Sequence, residues 1–392
     1  MLACILLRFV LQSKTTGEQI RTGAIPILKE ETGMEIKVKT VDLEQMKPKP
    51  EDESKLGFGK IFTDHFFIAK YDSEQGWHSA SIEPLRPLSL HLASMCLHYG
   101  QEIFEGMKAY KGKDGSIYLF RPEENIKRMN RSAERLCMAQ IDRDLFMEGL
   151  TQLVLLEKDW IPRDPGTSLY IRPTMIATEP ALGVHPSSQY TFFIIVGPVG
   201  AYYPEGFGPT KIYVSEKYVR AAQGGVGDCK AAGNYAASLY ASQEALEMGY
   251  TQVLWLDARE RKYVEEVGTS NIFFVVGDDL VTPPLSGSIL SGIMRNSIMR
   301  LAESWGINVV EDRLSIDELL KLNDEGVLKE VFASGTAAIV SPVGQIYYHG
   351  SEYVIGDGNT GPLTEKLYNH ILRIQYGEAE DPFGWRVKIF GE

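Results

Sequence analysis

The sequence predicts a mixed α/β (α+β) protein of two domains with a cleft between them, and three observations carry that prediction. Strand-like and helix-like hydrophobic periods alternate along most of the chain. A Gly/Pro/Tyr-rich segment at 197–209 interrupts them and reads as a linker. The 392 residues, 44% of them hydrophobic, can bury two substantial cores, and one domain of this length would be unusual. The expected division is an extension or presequence at 1–33, a smaller domain at 34–196, the linker, and a larger domain at 210–392.

Within the first domain the run Phe66-Phe67-Ile68-Ala69 reads as a strand. Asp114-Gly115 is a hairpin turn pair between strands at 107–110 and 117–120. Helical periods follow at 123–138 and 144–158, and strands at 169–176 and 190–196 close the domain. The second domain starts with a strand at 211–214 and continues with a helix at 236–248, a strand at 252–256, a strand at Glu266, and helices at 295–305 and 363–376. No internal repeat or low-complexity tract interrupts this order.

Composition excludes several classes of partner. A net charge of −12 argues against nucleic acid and against an anionic membrane surface. No stretch is long and apolar enough to span a bilayer. Cys4, Cys96, Cys137 and Cys229 show neither metal-ligand spacing nor a close pair, which fits a reducing compartment and no metal site. Cys229 is either reactive or a small space-filler.

The chemistry gathers around one lysine. In the run from Gly224 to Tyr235, Lys230 stands among glycines and alanines too small to carry it outward. A desolvated ε-amine loses its proton readily and can condense with a carbonyl to form a Schiff base, although an idle surface loop has the same composition. About thirty-five residues on, Glu265-Glu266-Val267-Gly268-Thr269 leads into the apolar run Ile272-Phe273-Phe274-Val275. A carboxylate at the mouth of a buried strand needs a cation, and a protonated pyridine nitrogen is one. A lysine for an aldehyde and a carboxylate for a ring nitrogen are what pyridoxal phosphate chemistry asks of a protein. A phosphate cup is the third need, with candidates at Leu290-Ser291-Gly292-Ile293-Met294-Arg295 and Ser334-Gly335-Thr336-Ala337.

These segments, with Phe58-Gly59-Lys60, Leu97-His98-Tyr99-Gly100, Phe104-Glu105-Gly106-Met107-Lys108, Leu119-Phe120-Arg121-Pro122 and Ser168-Leu169-Tyr170-Ile171-Arg172-Pro173, resemble in order and spacing the branched-chain amino acid aminotransferases, pyridoxal-phosphate enzymes of fold type IV. The likeness runs from about Phe58 to about Tyr376. It implies that Lys230 carries the cofactor and then moves the substrate proton, that Tyr235 bonds the ring oxygen, and that Glu266 holds the ring nitrogen. It places Arg128, Thr269, Thr336 and the amides of Ile293 and Met294 around the cofactor, chiefly its phosphate. For Arg128 the bare sequence reads otherwise, as a helix-surface charge beside Lys127 and Arg131.

The resemblance also implies a substrate pocket of Phe58, Tyr99, Phe104, Tyr170 and Val184, with Arg172 for a side-chain carboxylate and Thr336 and Ala337 for the α-carboxylate. Tyr99 and Val184 would come from a neighbouring subunit of a homodimer. An arginine in a hydrophobic strand calls for an anionic partner. The implied reaction moves the amino group of leucine, isoleucine or valine to 2-oxoglutarate by a ping-pong route. D-amino acid transaminase, aminodeoxychorismate lyase and a silent cofactor-binding protein remain alternatives. Ala338 and Ser341 replace the cysteine pair of animal members, Met294 stands where threonine is common, and Ser291 where proline is. The cytoplasm is the expected compartment, with the mitochondrial matrix the alternative if 1–33 form a presequence.

Overall fold

The computed structural model of the protein describes residues 34–200 and 207–391, and Ile36–Glu392 pack as one compact unit. The expectation for 1–33 and the middle of the linker at 197–209 lie outside the described residues.

Eight strands come first: β1 (Lys37–Val38), β2 (His65–Asp72), β3 (Gly76–Pro84), β4 (Glu102–Phe104), β5 (Met107–Lys111), β6 (Ile117–Phe120), β7 (Ser168–Ala177) and β8 (Gln189–Val199). Ten follow: β9 (Thr210–Ser215), β10 (Gln252–Leu256), β11 (Val264–Val267), β12 (Ser270–Val276), β13 (Asp279–Thr282), β14 (Val309–Glu311), β15 (Leu328–Gly335), β16 (Ile339–Tyr348), β17 (Ser351–Val354) and β18 (Arg386–Phe390). Among the described residues they form two nine-stranded sheets. The first runs β1-β3-β2-β8-β7-β5-β6-β18, with β4 on β7. The second runs β11-β10-β9-β16-β15-β12-β13-β14, with β17 on β16. This is the mixed α/β architecture expected from the alternating periods.

Local chemistry accounts for most elements. The β5–β6 hairpin turns at Gly115, whose φ of +82° suits glycine, and Asp114 Oδ1 accepts from Ser116 N at 2.9 Å. The helix Arg143–Leu156 starts where Asp142 accepts from the N–H groups of Asp144 and Leu145. It lays Phe146, Leu150 and Leu153 against the first sheet, where the Phe146 ring meets Phe192 at 5.5 Å. The strand expected at 252–256 has those limits.

Two features depart from the division drawn in sequence. The last strand, β18, pairs antiparallel with β6, so the end of the 210–392 segment belongs to the first sheet. One apolar cluster joins the two sheets, packing Tyr110 and Phe120 with Met294, Ile298, Leu301, Ile371 and Trp385. Burying a shared core removes more apolar surface from water than two separate cores could, and holds the facing edges of the sheets at a fixed spacing. The cleft lies along that seam.

Candidate active site

Lys230 stands between a turn-rich loop and the helix Ala232–Glu247. Glycine is needed in that loop, because a Cβ on Gly227 would strike the Ser288 carbonyl and the Ala221 methyl. Asn234, in the first helical turn, donates to Val226 O (2.7 Å) and Cys229 O (3.0 Å) and closes the loop from the other side. The lysine backbone is held twice, its N–H donating to Ser132 Oγ (3.0 Å) and its carbonyl accepting from Phe104 N (3.1 Å). Its side chain enters the cleft, where Nζ donates to the Tyr235 hydroxyl at 2.8 Å and lies 4.8 Å from the Phe104 ring centroid. Cys229 next door is a buried space-filler: burial and the Asp228 carboxylate push its thiol up to about 12.

Glu266 on β11 is 2% exposed. Its Oε1 accepts from Asn271 Nδ2 at 3.0 Å. Its Oε2 lies 2.8 Å from Arg220 Nη1, yet no hydrogen bond reaches it among the described residues. That arginine nitrogen donates instead to the Ser288 and Gly227 carbonyls, so Arg220 acts on Glu266 by charge alone. Burial, with the adjacent Glu265, outweighs Arg220, the Leu290 backbone N–H and the Lys230 charge and pushes the Glu266 carboxyl up to about 7. One oxygen of Glu266, a residue that lines the cleft, is thus left without a hydrogen bond.

At the other end Arg128 is buried, 3% exposed, contrary to its surface reading. It forks onto Glu105, Nε to Oε1 at 2.7 Å and Nη2 to Oε2 at 2.8 Å, and its Nη1 reaches Ser291 O at 3.2 Å. Asn125 Nδ2 and the Gly106 N–H also donate to Glu105 Oε2. Burial opposes this carboxylate, but Arg128 and the donors around it hold it below the ordinary range. Beside Arg128 the helix Ile293–Ser304 begins at Gly292 with no side-chain cap, so its first N–H groups are open to an anion. Only glycine fits at 292, since a Cβ would overlap Asn271 Oδ1.

Phe58, Phe104, Tyr170 and Arg172 form the remaining wall of a cleft of about 400 Å³, which Lys230, Tyr235, Glu266, Thr269, Ile293, Met294, Thr336 and Ala337 also line. Arg172 has no carboxylate within ion-pair distance among the described residues, although Glu102, which also lines the cleft, is near enough to feel its charge. Its guanidinium lies over the rings of Phe104 (4.7 Å) and Tyr170 (5.3 Å), and Nη2 donates to the Tyr170 hydroxyl at 3.0 Å. Aromatic faces can hold a partly buried guanidinium without a counterion. Its Nε makes no hydrogen bond.

Tyr99 and Val184 do not line this cleft. They are exposed, and the Tyr99 hydroxyl donates to Leu182 O. Sequence reasoning missed Glu102, Glu105, Arg220 and Asn271. Glu105 sat in view beside Phe104, whereas nothing in its neighbourhood marked Arg220.

A lysine, an under-bonded buried carboxylate and an anion-ready helix end around one cleft suit a flat ligand with an aldehyde, a basic ring nitrogen and a phosphate. Residues 102–346 match the model of the amino-transferase class IV family. The chain belongs to the class IV aminotransferases. This class IV chain is 56% identical to branched-chain-amino-acid transaminase 1 of Bacillus subtilis (strain 168), over 88% of its own length and 96% of that protein. It is 47% identical to the branched-chain-amino-acid aminotransferase of Mycolicibacterium smegmatis, over 85% and 92% of the two chains. Among solved structures, the Escherichia coli branched-chain amino acid aminotransferase superposes with a TM-score of 0.69 at 29% identity, covering 83% of this chain and 99% of that one. The T.th. branched-chain amino acid aminotransferase complexed with N-(5'-phosphopyridoxyl)-L-glutamate gives 0.69 at 28%, covering 83% and 98%.

Proposed function

We propose that this enzyme transfers the amino group of leucine, isoleucine or valine to 2-oxoglutarate, with pyridoxal 5'-phosphate as cofactor. The observation that carries the reading is the polarity of the cleft: Lys230, the Glu266 oxygen without a hydrogen bond, and the Arg128 and helix end answer three different parts of one cofactor. When bound, pyridoxal phosphate supplies an aldehyde that condenses with amines and a ring that accepts an electron pair from the substrate Cα.

The chain's own residues do the rest. Glu266 would hold the ring nitrogen of the cofactor, where its carboxylate would favour the protonated form. Arg128, together with the amides of Ile293 and Met294 and the hydroxyls of Thr269 and Thr336, binds the phosphate. Lys230 Nζ, held by Tyr235, takes the proton from the substrate Cα and returns it as general base and acid. Phe58, Phe104 and Tyr170 exclude water around a branched side chain, and Arg172 receives the distal carboxylate of the acceptor through guanidinium N–H groups beyond the one given to Tyr170.

The working unit in this proposal is a homodimer in which Tyr99 and Val184 of each copy complete the other's cleft. Leu92, Leu97, Tyr99, Leu182 and Val184 support it, being large apolar side chains exposed together around the short helix Met95–Tyr99 and the 178–188 segment. No helix among the described residues is long and apolar enough to cross a membrane.

The test is the visible spectrum of the enzyme loaded with pyridoxal phosphate. Adding L-leucine should remove the band of the bound cofactor and adding 2-oxoglutarate should restore it. Lys230→Ala should keep the fold and lose the cycle. A wild-type band indifferent to leucine would overturn the substrate assignment, and a Lys230→Ala variant with full turnover would overturn the lysine's role.

A further inference from the structure

Lys108 is a buried ammonium that the roles above do not use. It lies on β5 directly opposite Tyr170 of β7, so its side chain leaves the same face of the sheet as a residue lining the cleft. It is 4% exposed, and no carboxylate lies within ion-pair distance among the described residues. Its Nζ crosses the seam between the sheets and donates to Ala337 O at 2.7 Å, a partner 229 residues away. Burying an ammonium is costly, and one carbonyl is a thin compensation unless the contact serves something else.

Ala337 sits in the tight turn from β15 to β16, where Gly335 pairs with Ile339. Gly335, Thr336 and Ala337 all line the cleft. The turn's backbone hydrogen bond runs from Val340 N to Ala338 O (2.8 Å) and uses neither the Thr336 nor the Ala337 N–H. Ile339 closes the turn at φ +66°, a conformation that a β-branched side chain rarely adopts. Such a conformation persists only where its surroundings over-determine it.

We propose that Lys108 is a positioning residue for the substrate α-carboxylate, holding the Ala337 carbonyl so that the Thr336 and Ala337 N–H groups face the cleft as a carboxylate-binding pair. This rests on the function proposed above. Two adjacent N–H groups bind a carboxylate best when their peptide planes are fixed in advance; the Ala337 carbonyl belongs to the next plane of the turn, so the Lys108 contact restrains them indirectly, by anchoring the peptide that follows them from the opposite sheet. The same contact couples the spacing of the sheets to the geometry of the turn. Burial lowers the Lys108 pKa to about 7, and both its ammonium and amine forms retain an N–H for the carbonyl.

The experiment compares Lys108→Met with wild type, both loaded with pyridoxal phosphate, using two probes that share a branched side chain. One is 4-methylpentanoate, which has a carboxylate, and the other is 3-methylbutylamine, which has none. Apparent dissociation constants are read from the cofactor spectrum, alongside the melting temperature of the cofactor-free protein and its affinity for pyridoxal phosphate. Lys108→Met should bind 4-methylpentanoate about tenfold more weakly, about 1.4 kcal/mol, and 3-methylbutylamine as wild type does. Equal affinity for the carboxylate, or equal losses for both probes, would overturn the proposal. Failure of wild type to bind 4-methylpentanoate would overturn the proposed function as well. If Lys108→Met does not fold, Lys108→Gln, whose donor is too short to reach, is judged by the same selective loss.

Discussion

Glu105 and Glu266 are both buried carboxylates facing an arginine, the first behind the cleft-lining Arg128 and the second lining the cleft itself, and they differ in how their oxygens are used. Glu105 receives a bidentate fork from Arg128, an amide from Asn125 and the Gly106 N–H, so both oxygens are bonded. Glu266 has the Asn271 amide on one oxygen, while the other sits near Arg220 without a hydrogen bond. Their proton affinities move in opposite directions, Glu105 below the ordinary range and Glu266 up to about 7. A buried carboxylate with both oxygens bonded is scaffold, because it has no acceptor left for a ligand, while its partner Arg128 keeps N–H groups beyond the fork for an anion. An under-bonded one keeps an interaction in reserve for a ligand.

Breaking the saturated pair should have the larger consequence. Glu105→Gln leaves the Arg128 guanidinium buried without its counter-charge, and the cofactor-free protein should lose about 3–5 kcal/mol of stability. Denaturant unfolding measures it; a loss under about 1 kcal/mol would remove the scaffold half of the comparison.

Glu266→Gln should invert the pattern. Turnover should fall by about 10²–10³-fold, as expected when a group stabilising charge in the transition state is removed, while at about pH 4.5, where the folded-state Glu266 carboxyl is protonated, cofactor-free stability changes by less than about 1 kcal/mol. Steady-state kinetics beside the same unfolding measurement checks both parts, and a stability loss matching that of Glu105→Gln would make the two carboxylates equivalent.

The comparison sharpens further in a pH slope. The folded-state pKa of Glu266 is raised from 4.5 to about 7, so its contribution to stability is complete below about 4.5 and is lost as pH rises through about 7. Glu105 has a depressed pKa, so its contribution is complete above 4.5 and is lost as pH falls through the lowered value. Cofactor-free wild type should therefore lose stability relative to Glu266→Gln between about pH 4.5 and 7. Bound pyridoxal phosphate should flatten that difference, since a cation beside Glu266 favours its charged form. Parallel melting-temperature profiles for wild type and variant would contradict the reserve assigned to Glu266.

The two carboxylates also differ in how visible they were beforehand. Glu266 stood out because two acidic residues led into a continuous apolar strand, a local conflict between charge and burial. Glu105 lay in a recognisable segment, but its partner is twenty-three residues away on a helix whose periodicity allowed Arg128 to face either way. Tyr99 and Val184 carry no local signal of a role, and in this chain they stand outside the cleft.

What the sequence determined by itself is short in range. Apolar periods, the Asp114-Gly115 turn, the Asp142 helix start and the glycines beside Lys230 depend on neighbours within a few residues, and backbone sterics and capping act at that distance. What the tertiary structure decided is the set of partners. The return of β18 to the first sheet, the Arg172 guanidinium on aromatic faces, the Arg220 charge behind Glu266 and the Lys108 contact to Ala337 all join segments distant in the chain or depend on packing around them. A polar group buried by the collapse of two sheets must take the partner that packing brings to it, and the choice arises only once both sheets are in place.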